Sequence, residues 1–543
     1  MLARSIGTAE DSGSIFRVCY IEMWSANTLP FDDISSIIIS NLPTARRYFV
    51  DKGKTCYLTD SFEIDGRWFL PGQDIEINGI FGTLKYSPDS ITLQLQGMFV
   101  DFDPIEDEDL SKRITIYGFS NKGERLSLFN CALSHASRSF PGYSTCSYYV
   151  GRFYAGDFVI ENENELEGGE ANFSFLNIDA WLRYHVLTMI SSEDRKKIDL
   201  SIDFEPKNID KKTFSLSGLG IKLSEEIGYN IQYPKDYFQD ETLRVSFQRH
   251  YHIEPENNTC VSPKVLFEIM QEYRRLLVLL VGTPMYFSYI EFRIPAGVIN
   301  DNGEERPISK KTRLFFTQVG DILNAKKLSP YKPRSILIRR EDIEDQLEPI
   351  INTWFEKNEK FTTAIAAFIS DLYLPGYIET KFLNCAKGLE AYHRFFISSN
   401  CKSKSDMNVV LDADRDKIVD FIIQNTAPEN HDYFLSRVNY EEEDSYRTRL
   451  KMLLNGLPDG LRKKLFGVIS KKGLNSFISQ VVETRNYYTH RDSIDNYKNA
   501  VVDIGPLSDI VHQLSAVLRY YCLIEIGIES TQAEKSLVDW LAS

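Results

Sequence analysis

Apolar and polar residues alternate along Ile91-Thr92-Leu93-Gln94-Leu95-Gln96-Gly97, the two-residue period of a half-buried strand. Turn signals precede it at Asn78-Gly79 and Ser87-Pro88-Asp89. Further strand patterns fall at Arg113–Phe119, Tyr148–Ile160, Glu170–Leu176, Lys212–Leu216, Leu243–Gln248 and Tyr286–Arg293. One helix interrupts them, Ser262–Leu280, with Val265, Leu266, Ile269, Met270 and Tyr273 at helical spacing. From Glu341 onward the pattern is helical. DIEDQLEPIINTWFEKNEKF and FTTAIAAFISDLYL read as two helices, and Ile378–Ser398 makes a third with Phe382, Cys385, Ala386, Leu389 and Tyr392 on one face. The polar stretch SKSDMNVVLDADRD reads as a loop before a helix Asp414–Gln424, and Glu441–Asp444 as a solvated helix start or loop. Tyr446–Leu454, Gly460–Ile469, Leu474–Tyr487 and Leu507–Ile526 read as further helices. The expected architecture is therefore α+β in two domains. A poorly patterned extension (1–50) precedes a mostly antiparallel β domain with a few helices (51–335), and an all-α bundle (341–543) follows.

Composition narrows the function. A chain of 543 residues is several times a typical domain, and 43% hydrophobic with 13% aromatic residues excludes a disordered one. The net charge of −15 argues against a protein that coats nucleic acid nonspecifically, though a local basic site is compatible with it. No apolar run reaches membrane-spanning length, and the stretch MLARSIGTAEDSGS lacks the apolar core of a signal peptide, so a cytosolic protein without a membrane partner is expected. The eight cysteines (19, 56, 131, 146, 260, 385, 401, 522) form no zinc-ligand spacing and read as reduced thiols. Neither a metal nor a cofactor is expected. His135, His185, His250, His252, His431 and His512 have no local arrangement that reads as a site.

Phosphate-binding loops, dinucleotide fingerprints, zinc-protease motifs and nucleophile elbows are absent from the sequence. The exception is Glu483-Thr484-Arg485-Asn486-Tyr487-Tyr488-Thr489-His490-Arg491-Asp492. It sets Arg485-Asn486 four residues before His490, at the end of one amphipathic helix and before another. Between Lys451 and Lys498 nine Lys/Arg stand against four acids, so the motif lies in a basic segment of an acidic chain. Such a patch steers phosphate to one place.

Arg485-Asn486-x3-His490 at a helix end in an all-α domain resembles the catalytic motif of HEPN ribonucleases. Phe382-Leu383-Asn384-Cys385-Ala386-Lys387-Gly388-Leu389-Glu390-Ala391-Tyr392-His393-Arg394 is similar to the first core helix of the ApeA-like HEPN branch, with Leu389-Glu390 matching its Leu-Glu pair, and Trp354-Phe355-Glu356 to the sequence before that helix. In the β half, Gly66-Arg67-Trp68-Phe69-Leu70-Pro71-Gly72 and Gly79-Ile80-Phe81-Gly82-Thr83-Leu84 resemble the start of the ApeA N-terminal domain. The resemblance spans roughly residues 60–535. It implies a metal-independent endoribonuclease acting as a toxin in antiviral abortive infection, with the β domain sensing a phage-derived trigger. It also implies a 2′,3′-cyclic phosphate product.

The residue types suit that chemistry. The 2′-hydroxyl of RNA can attack its own phosphate, a histidine can move the proton, and an arginine can hold phosphate oxygens through two donors. Arg485, Asn486 and His490 are the catalytic candidates. Glu390 either holds Arg485 in place or pairs with Arg394 one helical turn on. Lys463, Lys464, Lys471, Lys472 and Arg491 are candidates for binding RNA, or form solvated helix faces. Tyr487 and Tyr488 either stack on bases or pack a core. On one continuous helix Arg485 and His490 stand about 140° apart. Either the helix ends near Tyr487 or a second copy completes the site. The single motif and the resemblance together imply a homodimer or a higher even oligomer. Two other readings remain: a non-catalytic HEPN scaffold that binds RNA or nucleotide, and a β-sandwich ligand-binding protein with a helical dimerisation domain.

Overall fold

The structure is a computed structural model of the chain. It describes residues 56–99, 112–137, 142, 144–164, 169–182, 188–190, 201–203, 212–216, 218–232, 244–258, 261–301, 304–322, 325, 336–374, 376–398, 404–438, 445–468, 470–491 and 493–542. The expected extension 1–50, the run Glu441–Asp444, Asp492, His185 and Cys19, Cys260 and Cys401 lie outside them.

The β-rich part begins with β1 (Phe62–Phe69), a short helix α1 (Ile75–Asn78), β2 (Ile80–Ser87) and β3 (Ser90–Leu95). β4 (Ile114–Ser120), β5 (Arg125–Ser137) and β6 (Thr145–Tyr149) follow. These six run in the order β5-β4-β1-β2-β3-β6, and β6 pairs back onto β5, so they close an antiparallel barrel without free edges. Trp68, Leu84, Leu93, Ile116, Leu128 and Tyr148 are buried on its strands. The Trp68 indole donates to the Gly82 carbonyl at 3.0 Å. Gly118 leaves room for that ring, since a Cβ there would lie 2.4 Å from it.

β7 (Arg152–Gly156), β8 (Glu170–Phe175), β11 (Thr213–Leu216), β12 (Ile221–Gln232) and β13 (Arg244–Pro255) extend the sheet, while β9 (Thr188–Ile190) and β10 (Ser201–Asp203) form a separate pair. After α2 (Pro263–Val281) come β14 (Phe287–Asp301) and β15 (Glu304–Phe316). The order β7-β15-β14-β8-β13-β12-β11 continues from β5. All the strands of this sheet form one antiparallel hydrogen-bonded array, not the two separate sheets of a sandwich. Trp68 and Trp181 are both buried, so neither offers a face to a ligand. The single strand expected over Tyr148–Ile160 is two strands, because the chain breaks at Val150-Gly151; both pair with β5, but β6 also pairs with β3 and β7 with β15.

The helices are α3 (Leu347–Glu356), α4 (Asn358–Tyr373), α5 (Ile378–Tyr392), α6 (Lys404–Asn425), α7 (His431–Val438), α8 (Tyr446–Asn455), α9 (Asp459–Phe466), α10 (Lys471–His490), α11 (Ile504–Glu525) and α12 (Ser530–Trp540). The stretch expected as a loop before Asp414 is helical from Lys404. Its polarity reflects a helix without a continuous apolar face, not irregular backbone. The expected end of α9 at Ile469 comes at Phe466, where Gly467 turns to φ +68°. α5 leaves α-geometry at Tyr392 and makes a π-helical turn, His393–Ile397. The described cysteines form no disulfide.

By their contacts the residues divide into two compact units. Among the described residues, one holds the chain up to Phe267, Tyr286–Gln318, Ile322 and Ala325, the other Glu268–Met285, Val319–Asp321 and the chain from Ile336 onward. In the second, α5 packs between α4 and α11, with Phe382, Cys385, Ala386 and Leu389 of α5 and Leu514 and Leu518 of α11 all buried. Gly388 allows this close approach: a Cβ there would lie 2.6 Å from the Ala364 carbonyl oxygen and 2.8 Å from Leu518. Gly388→Ala gains about 1 kcal/mol of helix propensity but must push a backbone oxygen aside. Overpacking of this kind costs about 1–3 kcal/mol, so the variant is expected to melt lower than the parent. A raised melting temperature would contradict the packing.

Candidate active site

α10 carries the motif. Ser470 caps its start, accepting from the Gly473 N–H, and Leu474, Phe477, Ile478, Val481 and Thr484 form its buried stripe. The helix does not stop near Tyr487. It runs through His490 and ends because Arg491 adopts φ +53°, with its N–H donating to the Tyr487 carbonyl at 2.8 Å. Glycine usually takes this left-handed position, and another residue there is strained by about 1–2 kcal/mol.

Arg485 and His490 consequently face different ways. Arg485, whose side chain is 28% exposed, turns toward α5 and α8. Its Nη2 donates to Glu390 Oε2 at 3.4 Å and its Nη1 to Asn486 Oδ1 at 3.3 Å. The guanidinium lies 5.6 Å from the centre of the Tyr446 ring. Glu390 Oε1 accepts from Arg394 Nη2, also at 3.4 Å. Both expected partners of Glu390 are thus present, and its carboxylate is shared between two arginines. Burial pushes the Tyr446 phenol far above its usual range, Glu390 adds to this and Arg485 opposes it, so the ring stays neutral. His490 is exposed at the helix end, on the same face as Asn486 one turn before it. Among the described residues it makes no hydrogen bond or ion pair. Among the described residues nothing brings its imidazole to the Arg485 guanidinium.

Three rings continue from the motif. Tyr488 packs near buried Phe382 of α5 at 6.3 Å between centroids, Tyr487 meets Tyr488 at 5.0 Å, and Tyr497 meets Tyr487 at 6.1 Å. Burial raises the Tyr488 phenol, helped by Glu379. Both tyrosines remain partly exposed, with packing as their visible role. Lys471 and Lys472 are exposed at the opposite end of α10, roughly 28 Å along the axis from His490. Lys463 and Lys464 are exposed on the last turn of α9. Within one chain only Arg491 of the basic candidates adjoins the histidine.

Sequence reasoning missed the residues that anchor the chain beyond His490. Glu483 accepts from the backbone and side-chain N–H groups of Asn499, both at 2.7 Å. Buried Thr484 accepts from Val501 N at 2.8 Å. These bonds tie the segment after the motif back along α10. Tyr446 and Arg449 on α8 were also missed; Arg449 is buried with its Nη1 3.4 Å from His393 Nδ1. Their partners, Arg485 and His393, are 39 and 56 residues away in sequence, beyond the reach of any local pattern.

A helical bundle with an Arg-Asn-x3-His motif at the end of a core helix, preceded by a β-barrel half, defines a HEPN-type protein with a large N-terminal domain. The model of the ApeA N-terminal domain 1 matches residues 63–354, and the Apea-like HEPN model matches residues 383–532. The chain belongs to the ApeA-like HEPN family. No curated protein and no solved structure matches it. HEPN domains are commonly ribonucleases that dimerise and bind RNA, and this family points to an anti-phage nuclease. No helix among the described residues is long and apolar enough to cross a membrane.

Proposed function

We propose that the protein is a metal-independent endoribonuclease toxin of an antiviral abortive-infection system, acting as a homodimer or higher even oligomer in the cytoplasm. One observation carries the assembly: α10 is unbroken between Arg485 and His490, and Glu390 holds Arg485 on the flank away from the exposed helix end. A phosphate between His490 of one copy and Arg485 of another would meet both groups.

In this reading the 2′-oxygen of the substrate bonds to the adjacent phosphorus as the P–O5′ bond breaks. One proton leaves the 2′-hydroxyl and one reaches the departing O5′. His490 carries out a proton transfer, Arg485 neutralises charge growing on the phosphate oxygens, and Asn486 donates to phosphate. Glu390 and Tyr446 position Arg485. Arg491, held at the helix end in a strained backbone conformation, lies beside the histidine to draw in the RNA backbone. Lys463, Lys464, Lys471 and Lys472 extend an RNA path only where a second copy brings them near. The β-rich part, 51–335, restrains and triggers the helical effector, 341–543, on sensing a phage-derived trigger.

Bulk RNA offered in excess EDTA tests the chemistry. Cleavage is expected to persist, to leave 2′,3′-cyclic phosphate and 5′-hydroxyl ends, and to stop at a site where a single 2′-deoxynucleotide replaces the ribonucleotide. Loss of all cleavage in EDTA, or cutting at the deoxy position, would overturn the mechanism.

A further inference from the structure

His250 and His252, given no site by the sequence, sit on β13 with both side chains buried. Residues two apart on a strand share a face, so His252 and Glu254 project together. On the neighbouring β8, Asn172 pairs with His252, which sets Glu170 beside Glu254. His252 Nδ1 lies 2.7 Å from Asn172 Oδ1. An amide oxygen accepts, so Nδ1 carries the proton and the ring is fixed with Nε2 facing the other way. There, among the described residues, Nε2 meets only acceptors: Glu254 Oε2 at 3.3 Å and Glu170 Oε2 at 3.7 Å. One atom from each of the three side chains falls within 4.8 Å of the others.

A neutral imidazole would set its lone pair against two carboxylates, and carboxylates on adjacent strands repel. The cluster therefore calls for a cation. Among the described residues no lysine or arginine forms an ion pair with Glu170 or Glu254. Lys222, paired with Glu254 in the register of β12, is exposed and makes no ion pair with it. Arg293, paired with Glu170 across β14, places Nε and Nη2 on Glu291 at 3.0 and 2.8 Å. Glu226 brings a further carboxylate close and pairs with His250 at 3.3 Å. The histidine side chain is 1% exposed, but Glu170 and Glu254 are 27% and 37% exposed, so the oxygen side is open to an entering ion and to water.

We infer that Glu170, His252 and Glu254 form a binding site for a divalent transition-metal ion of zinc-like chemistry, with Asn172 orienting the imidazole. Metal–ligand bonds of about 2.0–2.2 Å place tetrahedral ligand atoms roughly 3.3–3.6 Å apart. The contacts from Nε2 lie close to this, and the two partly exposed carboxylates can close the rest. The buried imidazole with its fixed tautomer is the usual arrangement of a metal-bound histidine. Three protein ligands leave a fourth position for water or an incoming group. The ion clasps β8 to β13 in the open part of the sheet and takes no part in RNA cleavage.

The test uses the full-length protein, stripped with chelator and titrated with zinc chloride alone against a chromophoric zinc indicator. One zinc ion per chain is expected, with a rise in melting temperature and no comparable response to magnesium. In the Glu170→Gln/Glu254→Gln double variant, binding is expected to weaken at least ~100-fold, with circular dichroism unchanged. Asn172→Ala, which leaves the three ligands in place, is expected to weaken it by about 10- to 100-fold. Absence of zinc binding by the parent protein would mean that a proton alone occupies Nε2 and would overturn the inference. Full stoichiometry and affinity in the double variant would do so equally.

Discussion

His490→Ala is expected to lower RNA cleavage by roughly 10²–10⁴-fold, the usual loss when a general acid or base is removed. The melting temperature should stay within about 1 °C of the parent, because the side chain is exposed at a helix end and makes no hydrogen bond or ion pair with a described residue. Unchanged stability with collapsed activity is the signature of chemistry rather than folding. Arg485→Ala is expected to lose activity similarly. Arg485→Lys should recover little, since a single ammonium cannot reproduce the forked donor set that Glu390 and Asn486 hold in place. Initial rates on one RNA, measured beside a thermal melt of each variant, make the comparison. A His490→Ala protein cutting at the parental rate would remove His490 from the site.

The helical half was legible because its information is local. The stripe Phe382, Cys385, Ala386, Leu389 and Tyr392 is buried as its spacing requires, and the motif ends a helix. Its extent was harder to read. Nothing in Tyr487-Tyr488-Thr489-His490 distinguishes a frayed end from three more helical residues, and the stop signal is an arginine in a backbone conformation more often taken by glycine. The β half gave up single strands but not their arrangement. β1, β2, β5, β9, β10, β12 and β15 were not recognised as strands, and closure of the barrel depends on β6 finding β5, a pairing with no local signature. The bond from Glu390 to Arg485 was anticipated through the resemblance alone, since 95 residues separate the two. Glu170 and His252 are 82 residues apart, and only strand register makes them neighbours.

Two inactive chains are expected to make an active mixture. If each site draws Arg485 from one copy and His490 from another, a dimer of an Arg485→Ala chain with a His490→Ala chain holds one site lacking both residues and one with both intact. Random exchange puts half the dimers in this mixed form, so the mixture should reach roughly one quarter of the parental activity per chain under two-fold symmetry. Each variant alone should stay near background. The contrast is large because neither parent chain contributes a competent site. A self-contained site predicts no recovery at any mixing ratio, since every chain then lacks one of its two residues. Labelled chains establish that exchange has occurred, by recovery of both labels in one complex. Exchange with no return of cleavage would therefore place both residues within one chain. Arg485 would then have to leave Glu390 and reach His490 across the end of α10, and the unbroken helix gives it no evident route.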